Sequence, residues 1–343
     1  MITIEDDGAR MFLDLVEASI REGRRITVEE ARRLLSTRGM SFTLSAYERL
    51  LGLTGDDVVS ILVNLGSEHP VNTEPVKLRL EEGLRRCYSL EAASRLRRQV
   101  DAVHSLDFGE AERKALRYLP EGTVIESTVY LTVDAFNPGM VRGGDVGRSI
   151  LHGLDDINMD HMAHEFHHAG VMSCLSRRPG LAKLATGADT REEVAAQLVC
   201  HLVSEGLANH YCTPMMVRAG DHKSPEANER IRGYEHCQSA MLEETWSLIR
   251  DCLDREEPLE GCRGRLMAIL IDRESILPRV HFIGERIISV LEEDPEIGFD
   301  EIIELCLRPE NLVSLYAGPA DRRGLPRLPD GYALKLRQIM AEM

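Results

Sequence analysis

His164, Glu165 and His168 are spaced as H-E-x-x-H in the run His164-Glu165-Phe166-His167-His168. On a helix, residues four apart share one face about one turn from each other, so both imidazoles can converge on one ion. The carboxylate beside the first histidine can then reach a water at that ion. The chemistry this pattern points to is zinc-dependent hydrolysis. Catalytic zinc takes three protein ligands and keeps a fourth position open, so one ligand has to come from elsewhere in the chain.

That third ligand is expected at Glu205, in Ser204-Glu205-Gly206-Leu207-Ala208-Asn209, with His201 as the rival. Glu205 falls within a predicted helix over 192–211, and the small Gly206 and Ala208 suit its close approach to the first helix. Asn209, four residues on, is read as the partner that accepts the free ring N–H of a liganding histidine. His167 points about 100° away from His168 on the helix, which suits a core hydrogen bond better than ligation. His161 either lines the approach to the site or sits at the helix start. Glu165 is the expected general base. The developing oxyanion needs a further donor. His281 is the first candidate, and Tyr211, Tyr234, His236 and Arg279 are the others.

The elements that must position these groups are mostly helical. Apolar residues recur at helical spacing from Asp6 to Ile20, and Thr27-Val28-Glu29-Glu30 reads as a capping box before a helix from Glu29 to Ser36. Further helices are predicted over 44–50, 54–64, 75–89, 91–105 and 108–118, with a polar loop over 64–74. The β-branched run 123–133 reads as a strand and is expected to offer a sheet edge to an extended peptide. A Gly-rich connection over 134–147 follows, then a short strand over 148–153. Asp160 or Asn158 is the expected cap of the H-E-x-x-H helix, with Asp155 and Asp156 adding to its acidic start. Thr190-Arg191-Glu192-Glu193 is a second capping-box start. Beyond residue 226 the chain again reads as helices, broken at Gly261, Pro278, Pro295, Pro309 and from Pro319 to Pro326. The expected fold is mainly α with a small β-sheet. The divisions are a helical region 1–115, a metal-binding core 116–215 and a helical region 216–343 that completes the cleft.

A chain of 343 residues, 43% of them hydrophobic, can bury a large core. The acidic start Met1-Ile2-Thr3-Ile4-Glu5-Asp6-Asp7 has no apolar leader, and no run reaches the ~18 apolar residues of a membrane span. A cytoplasmic protein without a membrane partner is expected. A net charge of −16 disfavours nucleic acid as a partner. The eight cysteines show no C-x-x-C spacing and read as free thiols. The oligomeric state is left open.

The two-helix ligand pattern resembles the gluzincin type of zinc peptidase, whose second motif is E-x-x-x-D. Here Glu205-Gly206-Leu207-Ala208-Asn209 has asparagine at the last position, which can accept a hydrogen bond but carries no charge. The chain is more closely similar to the zinc-dependent peptidase family of domain of unknown function 5700, through Thr128-Val129-Tyr130, the H-E-x-H-H run, Glu205-Gly206-Leu207-Ala208 and His281-Phe282-Ile283-Gly284, over roughly residues 100–320. The resemblance implies a zincin-like α+β metallopeptidase core, Zn2+ as cofactor, and a peptide or small amide as substrate. It also favours His281 over Tyr211 as the oxyanion donor. The alternatives are a non-catalytic binding or regulatory protein on a peptidase scaffold, or a zinc hydrolase of small amides or esters.

Overall fold

The computed structural model describes residues 1–136, 139–152, 159–185, 187–222, 224–255, 257–271 and 277–343. The chain is 67% helical and has a small four-stranded mixed sheet, so it is mainly α with a small β-sheet. Two compact units make it up: Met1–Glu110 with Glu126–Met159, and Ala111–Ile125 with Asp160–Met343.

The first unit holds α1 (Asp7–Glu22), α2 (Val28–Leu35), α3 (Arg38–Ala46), α4 (Gly55–Val63), α5 (Pro75–Arg85) and α6 (Leu90–Val103). The predicted capping box is formed at α2: the Thr27 hydroxyl accepts the Glu30 N–H, and the Glu30 carboxylate takes the Thr27 N–H. Thr54 and Asp57 make the same reciprocal bonds at α4, because aspartate reaches back as glutamate does. The helix expected over 44–50 begins earlier, at Arg38, and widens into a π turn over Tyr47–Leu51. Gly52 ends it at φ 68°, a left-handed value that glycine tolerates without strain.

Four strands share one sheet in the order β1-β2-β4-β3: β1 (Ile2–Glu5), β2 (Ser127–Thr132), β3 (Gly139–Arg142) and β4 (Asp145–Ser149). β2 runs parallel to β1 and to β4, with Val129 opposite Ile4 on one side and Val146 on the other. The expected sheet edge is therefore corrected: β2 is an interior strand whose backbone groups are taken on both sides, leaving none for a peptide. The expected strand over 148–153 is shifted, since β4 ends at Ser149 and Ile150–His152 turn into a 3-10 helix; Gly153 lies outside the described residues. The expected connection over 134–147 contains β3 and the start of β4. Gly143 and Gly144 join them at φ 60° and 90°, the left-handed pair that a tight hairpin requires.

The second unit takes in the end of α7 (Phe108–Leu116) and then α8 (Met159–Leu175), α9 (Pro179–Lys183), α10 (Arg191–Leu207), α11 (Pro225–Asp254), α12 (Leu259–Leu270), α13 (Arg279–Glu292), α14 (Phe299–Glu304), α15 (Leu312–Arg323) and α16 (Asp330–Ala341). The H-E-x-x-H helix, α8, starts at Met159, so Asp160 lies in its first turn rather than at the cap. There its carboxylate pairs with Lys114. Asn158, Asp155 and Asp156 lie outside the described residues. The Thr190–Glu193 box opens α10 as expected. Gly261 and Pro319 do not break helices; both sit inside them, and Pro319 is buried in α15. Among the described residues no helix is long and apolar enough to cross a membrane.

In this unit α10 and α13 cross in close contact. A Cβ on Gly206 would stand 2.6 Å from the Gly284 carbonyl oxygen, and one on Gly284 would stand 2.7 Å from the Leu202 carbonyl oxygen. Those neighbours are backbone and cannot swing aside. The small residue at 206 thus admits α13, and the expected role in approaching α8 is corrected. Either Gly206→Ala or Gly284→Ala will force the helices apart and lower stability by about 1–3 kcal/mol. Thermal unfolding should show a midpoint lower by about 2–4 °C per kcal/mol; an unchanged midpoint would mean that the crossing is not rigid.

Candidate metal centre

α8 is buried on nearly every side. Met162, Ala163, Phe166, Ala169 and Val171 pack into the core around it, and His164, Glu165 and His167 are buried among them. A helix in such surroundings holds its polar side chains only where each finds a partner. His167 does so away from the others: its Nε2–H donates to the Tyr118 carbonyl at 3.0 Å. Burial, and then the neighbouring His168, push its pKa down to about 3, so it is a neutral core histidine.

His164 and His168 converge. Their Nε2 atoms are 2.9 Å apart, and Glu205 Oε2, from α10, lies 3.5 Å from the first and 3.4 Å from the second. Tetrahedral zinc with ligand bonds of about 2.0–2.1 Å spaces its ligand atoms about 3.3 Å apart, so the triangle has the size such an ion needs. Among the described residues these three form the group of His, Cys, Asp or Glu side chains able to share an ion. His201 is not part of it.

The far side of each ring meets a hydroxyl. His164 Nδ1 is 2.9 Å from the Thr213 hydroxyl, and His168 Nδ1 is 2.7 Å from the Ser204 hydroxyl. With each hydroxyl accepting an Nδ1–H, both Nε2 lone pairs are aimed at the Glu205 carboxylate, the arrangement a bound cation requires. Three electron pairs facing one another in a buried place call for a positive species between them. The residues present therefore fit a zinc ion. Burial and His168 lower the His164 pKa to about 4, which keeps that ring neutral; burial alone would lower that of His168 too, but Glu205 outweighs it and raises it. Burial alone would raise the Glu205 carboxyl, but His281, His168 and His164 outweigh it and hold it well below the usual carboxylate range.

Neither Ser204 nor Thr213 was picked out by sequence reasoning. The signal for Ser204 was its place one residue before Glu205; Thr213 lies beyond the end of α10 and is folded back by the π turn over Ala208–Cys212. The expectation for Asn209 is corrected accordingly. Its amide does not accept from a ring directly; the Thr213 hydroxyl stands between, donating to Asn209 Oδ1 at 3.4 Å.

Around this triangle, Glu165 Oε1 lies 3.4 Å from His161 Nε2, one turn earlier on α8. His281, from the first turn of α13, places Nδ1 3.0 Å from Glu205 Oε2, and its ring lies nearly parallel to that of His164 with centroids 6.1 Å apart. Three of the other oxyanion candidates are engaged elsewhere: Tyr234 donates to the Leu277 carbonyl, His236 to that of Arg232, and Arg279 pairs with Glu244. Tyr211 stacks on Tyr118, a contact that leaves its hydroxyl unused.

With this geometry in place, comparison with known families gives one result. The family described as putative zinc dependent peptidase (domain of unknown function 5700) matches residues 87–321, and the chain belongs to it. No curated protein and no solved structure matches the chain.

His210, in the π turn behind the site, is clamped between Glu285 at 3.1 Å on Nδ1 and Glu292 at 2.7 Å on Nε2. Burial alone would lower its pKa, but the two carboxylates outweigh burial and raise it. A raised folded-state pKa gives stability that is full below the unfolded value of about 6.5 and is lost as pH rises through the folded value. His210→Gln should therefore cost about 1–3 kcal/mol at mildly acidic pH and less at alkaline pH. Denaturant unfolding at both pH values checks this, and an equal loss at both would refute it.

Proposed function

We propose that the chain hydrolyses peptide or small amide bonds as a gluzincin-type peptidase, with one zinc ion held by His164, His168 and Glu205. The observation that carries this reading is the convergence of two Nε2 atoms and a carboxylate oxygen, each ring met from behind by a hydroxyl, in a chain that belongs to a family described as zinc dependent. When bound, the ion supplies Lewis acidity, acidifying a water and polarising the substrate carbonyl.

The rest is done by the protein. Glu165 follows His164 directly on α8 and is buried beside the triangle without being part of it. It is the group we assign to take a proton from the attacking water and pass it to the leaving amine. His161 contacts its carboxylate and holds it against rotation. His281 is fixed beside Glu205 and is the donor proposed for the developing oxyanion. The buried walls of α8 exclude bulk water from these groups, which strengthens each electrostatic contact.

Elemental mass spectrometry of the purified protein tests the ligand set. One zinc per chain is expected, lost in Glu205→Ala and kept in Glu165→Gln. In a peptide-library assay Glu165→Gln should lower kcat by about 100- to 10,000-fold. Zinc retained by Glu205→Ala would remove Glu205 from the ligands, and activity retained by Glu165→Gln would remove Glu165 as the base.

A further inference from the structure

Three segments of the second unit meet at the Lys114 ammonium. Lys114 belongs to α7, and its Nζ lies 2.5 Å from Asp160 Oδ1 in the first turn of α8 and 2.9 Å from the main-chain carbonyl of Cys212, where the π turn after α10 ends. An ammonium carries three donors and no acceptor, so it donates to both. The side chains of Lys114 and Asp160 are 29% and 34% exposed, and an ion pair so open to solvent adds little to stability. What the lysine supplies is position. It joins the start of one helix to the end of another, the places where the regular ladder of backbone bonds runs out.

Each group that Lys114 holds stands one residue before a side chain of the site. Cys212 precedes Thr213, whose hydroxyl is 2.9 Å from His164 Nδ1. Thr213 has already left the helix, with φ −134° and ψ 52°, so no regular element fixes it. Its N–H donates to the Ala208 carbonyl at 3.2 Å. The peptide unit between Cys212 and Thr213 is therefore held at both ends, its N–H by Ala208 and its C=O by Lys114. A planar peptide gripped at both ends cannot pivot, and it sets the direction in which the Thr213 side chain leaves the chain. On α8, Asp160 precedes His161, whose Nε2 is 3.4 Å from Glu165 Oε1. One cation thus anchors the segment behind a liganding histidine and the segment behind the proposed base.

We propose that Lys114 is a positioning residue: it fixes the Cys212–Thr213 peptide and so holds the Thr213 hydroxyl against His164, while its pair with Asp160 keeps the first turn of α8 in the same frame. This rests on the proposed function for what a well-held His164 is for, but the fixed peptide follows from the hydrogen bonds alone. The residue type suits the task. Asp160 needs a positive charge and the Cys212 carbonyl needs a donor, and one ammonium on a flexible four-carbon stem brings both from α7.

The test is amide hydrogen exchange of the metal-free chain, followed residue by residue by NMR in wild type, Lys114→Met and Lys114→Arg. Lys114→Met keeps an apolar stem and removes every donor, so the Thr213 amide should exchange about tenfold faster, while Val203 and Ile288 at the α10–α13 crossing stay as protected as before. Lys114→Arg should restore the protection at Thr213, because a guanidinium also donates to a carboxylate and a carbonyl. Zinc Kd, read by chelator competition, should rise about 10-fold in Lys114→Met and by about 10- to 100-fold in Thr213→Val. The double variant should bind zinc no more weakly than Thr213→Val alone, since Lys114 acts through Thr213. Unchanged exchange at Thr213 in Lys114→Met, or zinc losses that add in the double variant, would overturn the proposal. So would a loss of protection at Val203 and Ile288 as large as that at Thr213, which would make the lysine a support of the whole unit. A wild-type chain that takes up no zinc would sink the metal reading, while exchange at Thr213 still decides this one.

Discussion

Two helices whose backbones touch hold the second half of the site together. α10 brings Glu205 and α13 brings His281, and the glycines that let them meet are Gly206, next to the first, and Gly284, one turn after the second. With no side chain at either position, the helices approach until backbone lies on backbone. At an ordinary interaxial distance of about 8–10 Å, side chains separate two helices and tolerate small shifts. Here there is nothing flexible between them. The 3.0 Å contact of His281 Nδ1 with Glu205 Oε2 is thus set by rigid elements rather than by loops, which is what a precise polar site needs. The His210 clamp lies on the same seam, joining the turn after α10 to Glu285 and Glu292 on α13.

α8 brings its ligands to that seam by a different route. Its polar residues are surrounded by apolar ones, so each must be satisfied locally or cost the full price of burial. His167 is bonded to a carbonyl through Nε2, with its buried Nδ1 unpartnered, and His164 and His168 meet hydroxyls on one side only. The other sides of His164 and His168 face one another and Glu205. That convergence on one point separates a metal-type site from a lone core histidine such as His167.

Much of this was legible in the sequence because the informative spacings are local. H-E-x-x-H fixes a face of one helix by arithmetic alone, and Glu205 lay on a helix opened by a clear capping box. The box at Thr27 and the strand at 127–132 were equally local. What was missed depends on pairing or on backbone irregularity. β1 is a four-residue strand whose partner lies more than a hundred residues away, and β3 hid in a glycine-rich stretch that forms its own hairpin. β2 looked like an edge because nothing in its own residues says how many neighbours it has. Thr213 was invisible for a similar reason: a regular helix through Asn209 would carry it onward, and only the wider π turn brings it back to His164.

The same turn explains why neutral groups serve where a charged one is expected. A carboxylate behind a metal-binding ring adds basicity, but it also adds a buried negative charge that must be met. Behind His164 and His168 stand the hydroxyls of Thr213 and Ser204, with the Asn209 amide behind Thr213, and the carboxylate that meets both imidazoles on the other side is that of Glu205. Glu165 lies 3.4 Å from His161 on the same helix. Hydroxyls and an amide still dictate direction, because each bond has a donor and an acceptor end. In a buried network such bonds orient the rings they touch without bringing in a second charge.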